Sequence, residues 1–373
     1  MGLRRREFLK ASAYAAASSP VIAPALARAM ASETPMDGER LIDLRVAGYP
    51  FEHVSGLMTG KVEVEGCRVE FETGRIGDLN THVFSGPRTL DVTEIGLTPY
   101  ILAFANEGFR AYSLIPVFPL RLFRHKSIFI HVDSGIDDPT QLKGKRVGTP
   151  GYSSTSLTWI RGMLQDEYGV RREEIEWVVS AEDSSAVNAG ATSKQENVFP
   201  EGLRVAIGPP GKDESDLLIE RHVDALFHAA EPRAFVEGHP EVRRLFADPR
   251  LAERDYYART GIFPIMHAVA IRSDLVSRHP WLPKAIFDAY SESKALAYSD
   301  MRRRWFLRTL PWFAQELAAT EELMGDNFFP YGIEANRQAL DTLFRYSHEQ
   351  GLASRRLEIE ELFVPSTLAL AEA

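Results

Sequence analysis

The chain has 373 residues, 45% of them apolar and 25% charged, and a net charge of −9. That length exceeds what one hydrophobic core can serve and predicts two lobes, while the acidic balance excludes a nucleic-acid backbone as partner. The single cysteine, Cys67, excludes an internal disulfide and any zinc site built on paired cysteines.

Arg5-Arg6-Glu7-Phe8-Leu9-Lys10 opens the chain as a twin-arginine export motif, and a mild Ala/Ser-rich stretch, Ala11 to Ala23, follows. That stretch is too short to span a bilayer, so residues 1–31 read as a signal peptide, with A-x-A cleavage at residue 27, 29 or 31. The alternative is a plain basic tail. Export implies passage through the twin-arginine machinery and work in the periplasm or another extracytoplasmic space. Residues 32–40 are a polar linker.

Leu41 to Gly48 alternates as a strand, with the aromatic loop Tyr49-Pro50-Phe51-Glu52-His53 at its end. Cys67 to Thr73 and Asp91 to Gly96 are further strands, the second leading into a helical pattern over Tyr100 to Asn106, and Ser127 to Val132 is a fourth strand. A turn and glycine break over Pro139 to Gly148 opens a second unit: a strand, the hydroxyl loop Gly151-Tyr152-Ser153-Ser154-Thr155-Ser156, and a helix over Leu157 to Glu167. Ile175 to Val179 is the next strand. Ser180 to Asp213 is long and polar, an expected surface insertion. Val223 to His228 and His267 to Arg272 are strands, and Trp281 to Leu323 and Glu334 to Glu349 are mainly amphipathic helix. Strands alternating with helices predict an α/β fold. The lobes are expected at 41–136 and 259–373 for the first, with the C-terminal helices, and at 137–258 for the second.

Three segments then stand out: Pro116-Val117-Phe118-Pro119-Leu120-Arg121-Leu122-Phe123-Arg124-His125, Thr260-Gly261-Ile262-Phe263-Pro264-Ile265-Met266-His267 and Met324-Gly325-Asp326-Asn327-Phe328-Phe329-Pro330-Tyr331-Gly332. Together they resemble the 4,5-dihydroxyphthalate decarboxylase family, over about Leu41 to Thr367. The resemblance implies a two-lobed fold like the type 2 periplasmic binding proteins, with a ligand cleft between the lobes. Asp137 to Gly148 is similar to the start of the second lobe in such receptors, with Gln141 where Asp is usual.

Within that frame Ser153, Ser154 and Thr155 stand at a helix start, which receives a carboxylate well, or else they simply cap the helix. Arg121, Arg124 and His125 lie in a proline-bounded apolar run, where a guanidinium offers forked donors to a carboxylate, or serves a surface ion pair. His267 follows an aromatic approach and reads as a ligand contact or proton donor, or as a packed residue. His228, with Glu231, follows a strand at the mouth of the second lobe. Tyr49, Phe51, Glu52, His53, Glu94, Leu97 and Thr98 occupy first-lobe loops suited to a cleft wall. No H-E-x-x-H, calcium loop, G-x-G-x-x-G, G-x-x-x-x-G-K-[ST] or G-x-S-x-G pattern occurs, so no metal or cofactor is expected. Trp305, Trp312 and Phe313 beside Arg302 to Arg304 read as a core-facing aromatic stripe with a solvated basic face, ahead of a membrane-surface helix.

Two functions follow. The first is an extracytoplasmic solute-binding protein for a small, possibly aromatic, carboxylate, serving a transporter or a sensor, with a membrane permease as partner. The alternative, implied by the resemblance, is decarboxylation of 4,5-dihydroxyphthalate to 3,4-dihydroxybenzoate and CO2, with His267 or His125 as the acid and Arg124 holding the carboxylate that stays.

Overall fold

The computed structural model describes residues 41–185 and 189–372; the export motif and its cleavage positions lie outside them. In chain order the strands are β1 (Ile42–Gly48), β2 (Cys67–Thr73), β3 (Val92–Gly96), β4 (Tyr112–Ile115), β5 (Ile128–His131), β6 (Arg146–Thr149), β7 (Glu176–Val179), β8 (Val205–Ile207), β9 (Ala225–Phe227), β10 (Val242–Arg244) and β11 (His267–Arg272). The longer helices are α1 (Ile76–Phe84), α2 (Leu97–Glu107), α3 (Thr155–Tyr168), α4 (Pro249–Thr260), α5 (Leu282–Arg303), α6 (Phe313–Met324) and α7 (Arg337–Glu349).

Two mixed sheets result, one per lobe, in the orders β2-β1-β3-β11-β4 and β10-β5-β9-β6-β7-β8. In β1 the alternation works as expected: Leu44 and Val46 are buried while Arg45 faces out. Every residue of the more central β3 is buried, as a strand covered on both faces requires. Helix α2 is buried along most of its length and stops at Gly108, whose φ of 65° is the left-handed cap that glycine takes without strain.

Membership of β5 corrects the expected lobe boundary. It pairs antiparallel with β9 and β10 of the second sheet, so the first crossover falls between β4 and β5 rather than at residue 136. The run Ser127 to Val132 alternates equally well for either sheet, and only the pairing partner decides between them. The return crossover lies between β10 and β11, and β11 inserts antiparallel between β3 and β4.

The lobes share one buried apolar cluster. It runs from Leu97, Ile101 and Tyr112 in the first lobe through Trp159, Trp177 and Phe227 in the second to Leu343 and Phe344 of α7. The C-terminal segment ties them further. Tyr346 and Arg345 of α7 bond Asp166 of α3 at 2.6 and 2.5 Å, and Val364 donates its N–H to the Leu114 carbonyl of β4 at 2.8 Å. Helix α3 meets α7 so closely that a Cβ on Gly162 would sit 2.2 Å from the Tyr346 ring.

Candidate active site between the lobes

Strands β6, β7 and β9 run parallel, as do β1 and β3, and the loops after their carboxyl ends face one another. That is where open α/β sheets bind ligands. A cavity of about 290 Å³ lies there, lined by Tyr49 and Phe51 after β1, by Ser154 to Leu157 at the start of α3, by Asp183 after β7, by His228 to Ala230 after β9, and by Leu120, Leu122, Arg124 and His267 of the crossovers. Its volume stands at the small end for ligand sites and suits a single-ring molecule.

On the first-lobe wall, β11 sits in register with β3 so that His267 faces Gly96 and Val269 faces Glu94. Glu94 and His267 are therefore diagonal neighbours on one face of the sheet, a spacing that long side chains bridge. His267 Nδ1 lies 2.5 Å from Glu94 Oε1, and the other carboxylate oxygen accepts the Tyr49 N–H at 2.8 Å. The Tyr49 ring stacks on the imidazole with centroids 6.0 Å apart. With Nδ1 committed to Glu94, Nε2 is the nitrogen left for a ligand, the orientation that a carboxylate imposes on a catalytic histidine.

On the opposite wall, His228 is fully buried and its Nε2 lies 3.3 Å from Asp183 Oδ1 and 3.5 Å from Glu214 Oε1. Its Nδ1 faces the Ala230 carbonyl at 2.9 Å. Burial alone would lower the pKa of His228, but the two carboxylates outweigh it and raise it above the ordinary histidine value. Burial raises the Glu214 carboxyl, against the pull of His228. Asp183, despite its burial, is held below the usual range by His228 and by the N–H and hydroxyl of Ser185. Glu214 also accepts from the Ser184 hydroxyl.

Arg124 lies between the two walls. Its guanidinium donates to the Ala229 carbonyl at 2.7 Å and to the Met266 sulfur at 2.8 Å, next to His228 and His267 respectively. It is buried and makes no ion pair among the described residues, and its Nε has no hydrogen-bond partner. Burial pulls its pKa below the ordinary arginine value, so an anion beside it would relieve an uncompensated buried charge. The start of α3 adds the positive end of a helix dipole.

Several residues expected in the cleft are elsewhere. Arg121 is buried on the far side of its loop, donating to the carbonyls of Phe263 and Pro330 and to Asn336; alternate residues of an extended run face opposite ways, and Arg124 faces the cavity. His125 packs edge-on between Phe246 and Tyr256, and burial pushes it down to about 4, so it is neutral and away from the cavity. Ser153 spends its hydroxyl on the Gln195 carbonyl and the Val198 N–H, both at 2.8 Å. Ser154 caps α3 by accepting the Leu157 N–H at 3.3 Å, and Thr155 accepts the Thr98 N–H at 3.0 Å; both still line the cavity. Glu94 stands behind His267 rather than on the surface of the cavity. Glu231 pairs with Arg244, and Glu52 with Arg308 at 2.5 Å. His53 bonds the Pro119 carbonyl at 2.9 Å.

Sequence reasoning missed Asp183 and Glu214. Asp183 lies in the polar stretch read as an insertion and Glu214 directly follows it, and that stretch is part of the site: Asp183, Ser185, Ala189 to Thr192 and Glu196 all line the cavity. An acid a few residues beyond a strand end was the available signal. The loop also reaches the other lobe, where the Ala191 N–H donates to Asp78 of α1 at 3.2 Å and a Cβ on Gly77 would sit 2.2 Å from the Ala191 carbonyl oxygen.

No family model matches the chain. Curated relatives do: the 4,5-dihydroxyphthalate decarboxylase of Comamonas testosteroni is 35% identical over 331 residues, 88% of this chain and 98% of that protein. The enzyme of the same name from Pseudomonas putida is 30% identical over 216 residues, 58% of this chain and 81% of the relative. Among solved structures, the periplasmic aliphatic sulphonate binding protein of Escherichia coli is similar with a TM-score of 0.52 at 13% identity, covering 88% of this chain and 99% of that one. The alkanesulfonate-binding protein of Xanthomonas axonopodis pv. citri gives 0.50 at 11%, covering 88% and 99%; both likenesses are of fold. Sequence similarity along nearly the whole of a relative, on two α/β lobes of the type 2 periplasmic-binding-protein kind, settles kinship: the chain belongs to the 4,5-dihydroxyphthalate decarboxylase family.

Proposed function

We propose that the protein is a carboxy-lyase acting on a single aromatic ring with adjacent carboxylates, converting 4,5-dihydroxyphthalate to 3,4-dihydroxybenzoate and CO2. One observation carries this reading: a buried arginine with no ion pair among the described residues stands between two histidine–carboxylate groups on a cavity of single-ring size. A receptor needs the arginine but has no use for the two acid–base groups. Family membership supports the same choice.

In this reading Arg124 holds the carboxylate that stays. The neighbouring carboxylate leaves as CO2, its C–C bond pair remaining on the ring carbon, and His267 Nε2–H delivers the proton that carbon takes up. Glu94 orients the ring of His267 and balances its charge before transfer. The hydroxyl para to the departing group hydrogen-bonds to Asp183, which draws electron density toward the ring carbon to be protonated. His228 and Glu214 hold Asp183 in place. Apolar walls from Phe51, Leu120 and Leu122 disfavour the charged carboxylate relative to neutral CO2. His267 recovers its proton from water when the product leaves, and this route draws on no organic cofactor.

The second reading, an extracytoplasmic receptor for such a carboxylate that serves a membrane permease, is supported by the fold and by the arginine pair in residues 1–31. The apolar core common to both lobes weighs against the wide opening on which a receptor relies. Incubating the mature protein with 4,5-dihydroxyphthalate while following CO2 and 3,4-dihydroxybenzoate decides between them: turnover is expected, and thermal stabilisation without turnover would establish the receptor instead. On the export motif we place the protein outside the cytoplasm. An Arg5→Lys, Arg6→Lys variant retained inside the cell is the expected outcome of fractionation.

A further inference from the structure

Of the three segments that stand out in the sequence, Met324 to Gly332 alone gives no residue to the wall of the cleft cavity. It is nevertheless firmly held. Lys294 of α5, only 3% exposed, donates from Nζ to Asn327 Oδ1 at 2.9 Å, to the Phe329 carbonyl at 2.6 Å and to Glu372 Oε2 at 2.6 Å. The same Glu372 oxygen accepts the Asn327 amide at 2.8 Å and the Tyr331 N–H at 2.9 Å. Two contacts lead from this hub toward the cleft. Phe329 meets the Phe263 ring edge-on with centroids 5.5 Å apart, and the Pro330 carbonyl accepts Arg121 at 3.0 Å. Arg121 donates onward to the Phe263 carbonyl at 3.2 Å. Phe263 opens the run that ends at His267, and Arg121 stands three residues before Arg124. Those two runs are joined to each other, Leu122 N–H to the Pro264 carbonyl at 3.1 Å and Met266 N–H to the Leu120 carbonyl at 2.8 Å.

We propose that Lys294 and Glu372 are positioning residues for the decarboxylation inferred above, holding Met324 to Gly332 as a brace against which Arg124 and His267 are set. The proposal rests on the decarboxylase reading. Charge decides when the brace holds. Burial pulls Lys294 down to about 8, against the hydrogen bond and charge of Glu372, and Arg121 lowers it further. The other groups facing the ammonium stay neutral through that range. The rings of Tyr331 and Tyr298 lie 4.3 and 5.6 Å from Nζ, and burial raises both phenols. His53 is pushed down to about 4, by burial first and by Lys294 in part. Loss of the Lys294 proton leaves Glu372 without its counter-charge, in a pair whose side chains are 4% and 12% exposed, and a buried charge stripped of its partner is strongly destabilising. The bonds to Phe329 and Tyr331 then loosen where the brace bears on Phe263 and Arg121. A displacement of about 1 Å at a reacting group costs on the order of 10²-fold in rate.

The test is the pH profile of kcat with 4,5-dihydroxyphthalate, with circular dichroism at each pH to show that the fold is intact. The wild-type protein is expected to lose activity as pH rises through about 8. Glu372→Gln keeps an acceptor oxygen but removes the charge, and should bring that loss down by about one pH unit. Lys294→Arg keeps a charge that does not titrate, and should move the loss above about pH 9 while holding kcat at pH 7 within about threefold. If Lys294→Arg does not fold, Glu372→Gln decides alone. A wild-type kcat that is flat across this range, or a fall that stays in place in the variants, would overturn the proposal. Wild-type protein that turns over nothing would instead remove the decarboxylase reading. The brace is then read through Arg124, as phthalate affinity by calorimetry over the same pH range: a weakening through about pH 8 that Glu372→Gln shifts downward supports it, and an affinity indifferent to pH in both proteins overturns it.

Discussion

The two walls of the cleft arrive at a histidine–carboxylate pairing by different constructions. In the first lobe, Glu94 and His267 belong to neighbouring strands, so their meeting is fixed by the register of a sheet buried on both sides. In the second, His228, Asp183 and Glu214 come from three separate segments gathered beyond the ends of β9 and β7 and at the start of a short helix, Glu214–Ile219. A pair set by register tolerates no adjustment short of refolding the sheet, whereas a group assembled from loops can be retuned one segment at a time. We therefore place the bond-making proton on the first wall and substrate discrimination on the second.

The largest expected effect probes that division. His267→Gln should lower kcat by about 10²- to 10⁴-fold, the usual contribution of a positioned acid, with binding of unsubstituted phthalate retained by calorimetry. An equal loss of kcat in His228→Gln would erase the difference between the walls. Arg124→Gln comes next, and belongs to neither wall. Loss of a buried charge-assisted contact should weaken phthalate binding by about 2–5 kcal/mol, measured by the same titration, and Arg124→Lys should recover only part of it because a single ammonium does not reproduce the fork. Glu214→Gln should act mainly on KM, raising it on the order of tenfold, since it touches the substrate only through its neighbours.

The smallest effect is on stability, and its sign differs between the histidines. His125, pushed down to about 4 by burial, takes up its proton more readily unfolded than folded. Its contribution is present above about pH 6.5 and is lost as pH falls toward 4, about 2 kcal/mol by pH 5. His53, also pushed down to about 4 by burial, acts in the same direction. His228 has its pKa raised by Asp183 and Glu214 against burial, so its contribution is full below about pH 6.5 and is lost as pH rises through the higher folded value. Urea unfolding from pH 4 to 9 should give an acid limb that His125→Phe flattens and an alkaline limb that His228→Gln flattens. An acid limb unchanged in His125→Phe would remove that histidine from the account.

Much of this architecture is legible in the sequence where one element carries its own signal. Cys67 to Thr73 alternates cleanly, His267 to Arg272 is a short apolar run, and both form strands over those same residues. What could not be read depends on which strands lie side by side. Asp183 and His228 are 45 residues apart and meet because β7 and β9 both flank β6, a fact of pairing rather than of local pattern. Arg121 and Arg124 share one proline-bounded run, and nothing in it says which of them turns toward the cleft. Trp305 and Trp312 show the converse failure: the aromatic pattern predicts a core-facing stripe, and both side chains are exposed.

The insertion of β11 between β3 and β4, and the pairing of Leu114 with Phe363, mean that the first lobe cannot be finished as it leaves the ribosome. This interior strand arrives some 150 residues after β4, and the lobe's last tie comes within about ten residues of the C-terminus. Such long-range closure makes for slow folding and prolonged exposure of apolar surface. For the export we propose, a channel that threads unfolded chain would push this closure to the far side of the membrane, whereas a route that accepts only completed molecules would let it happen once, among chaperones.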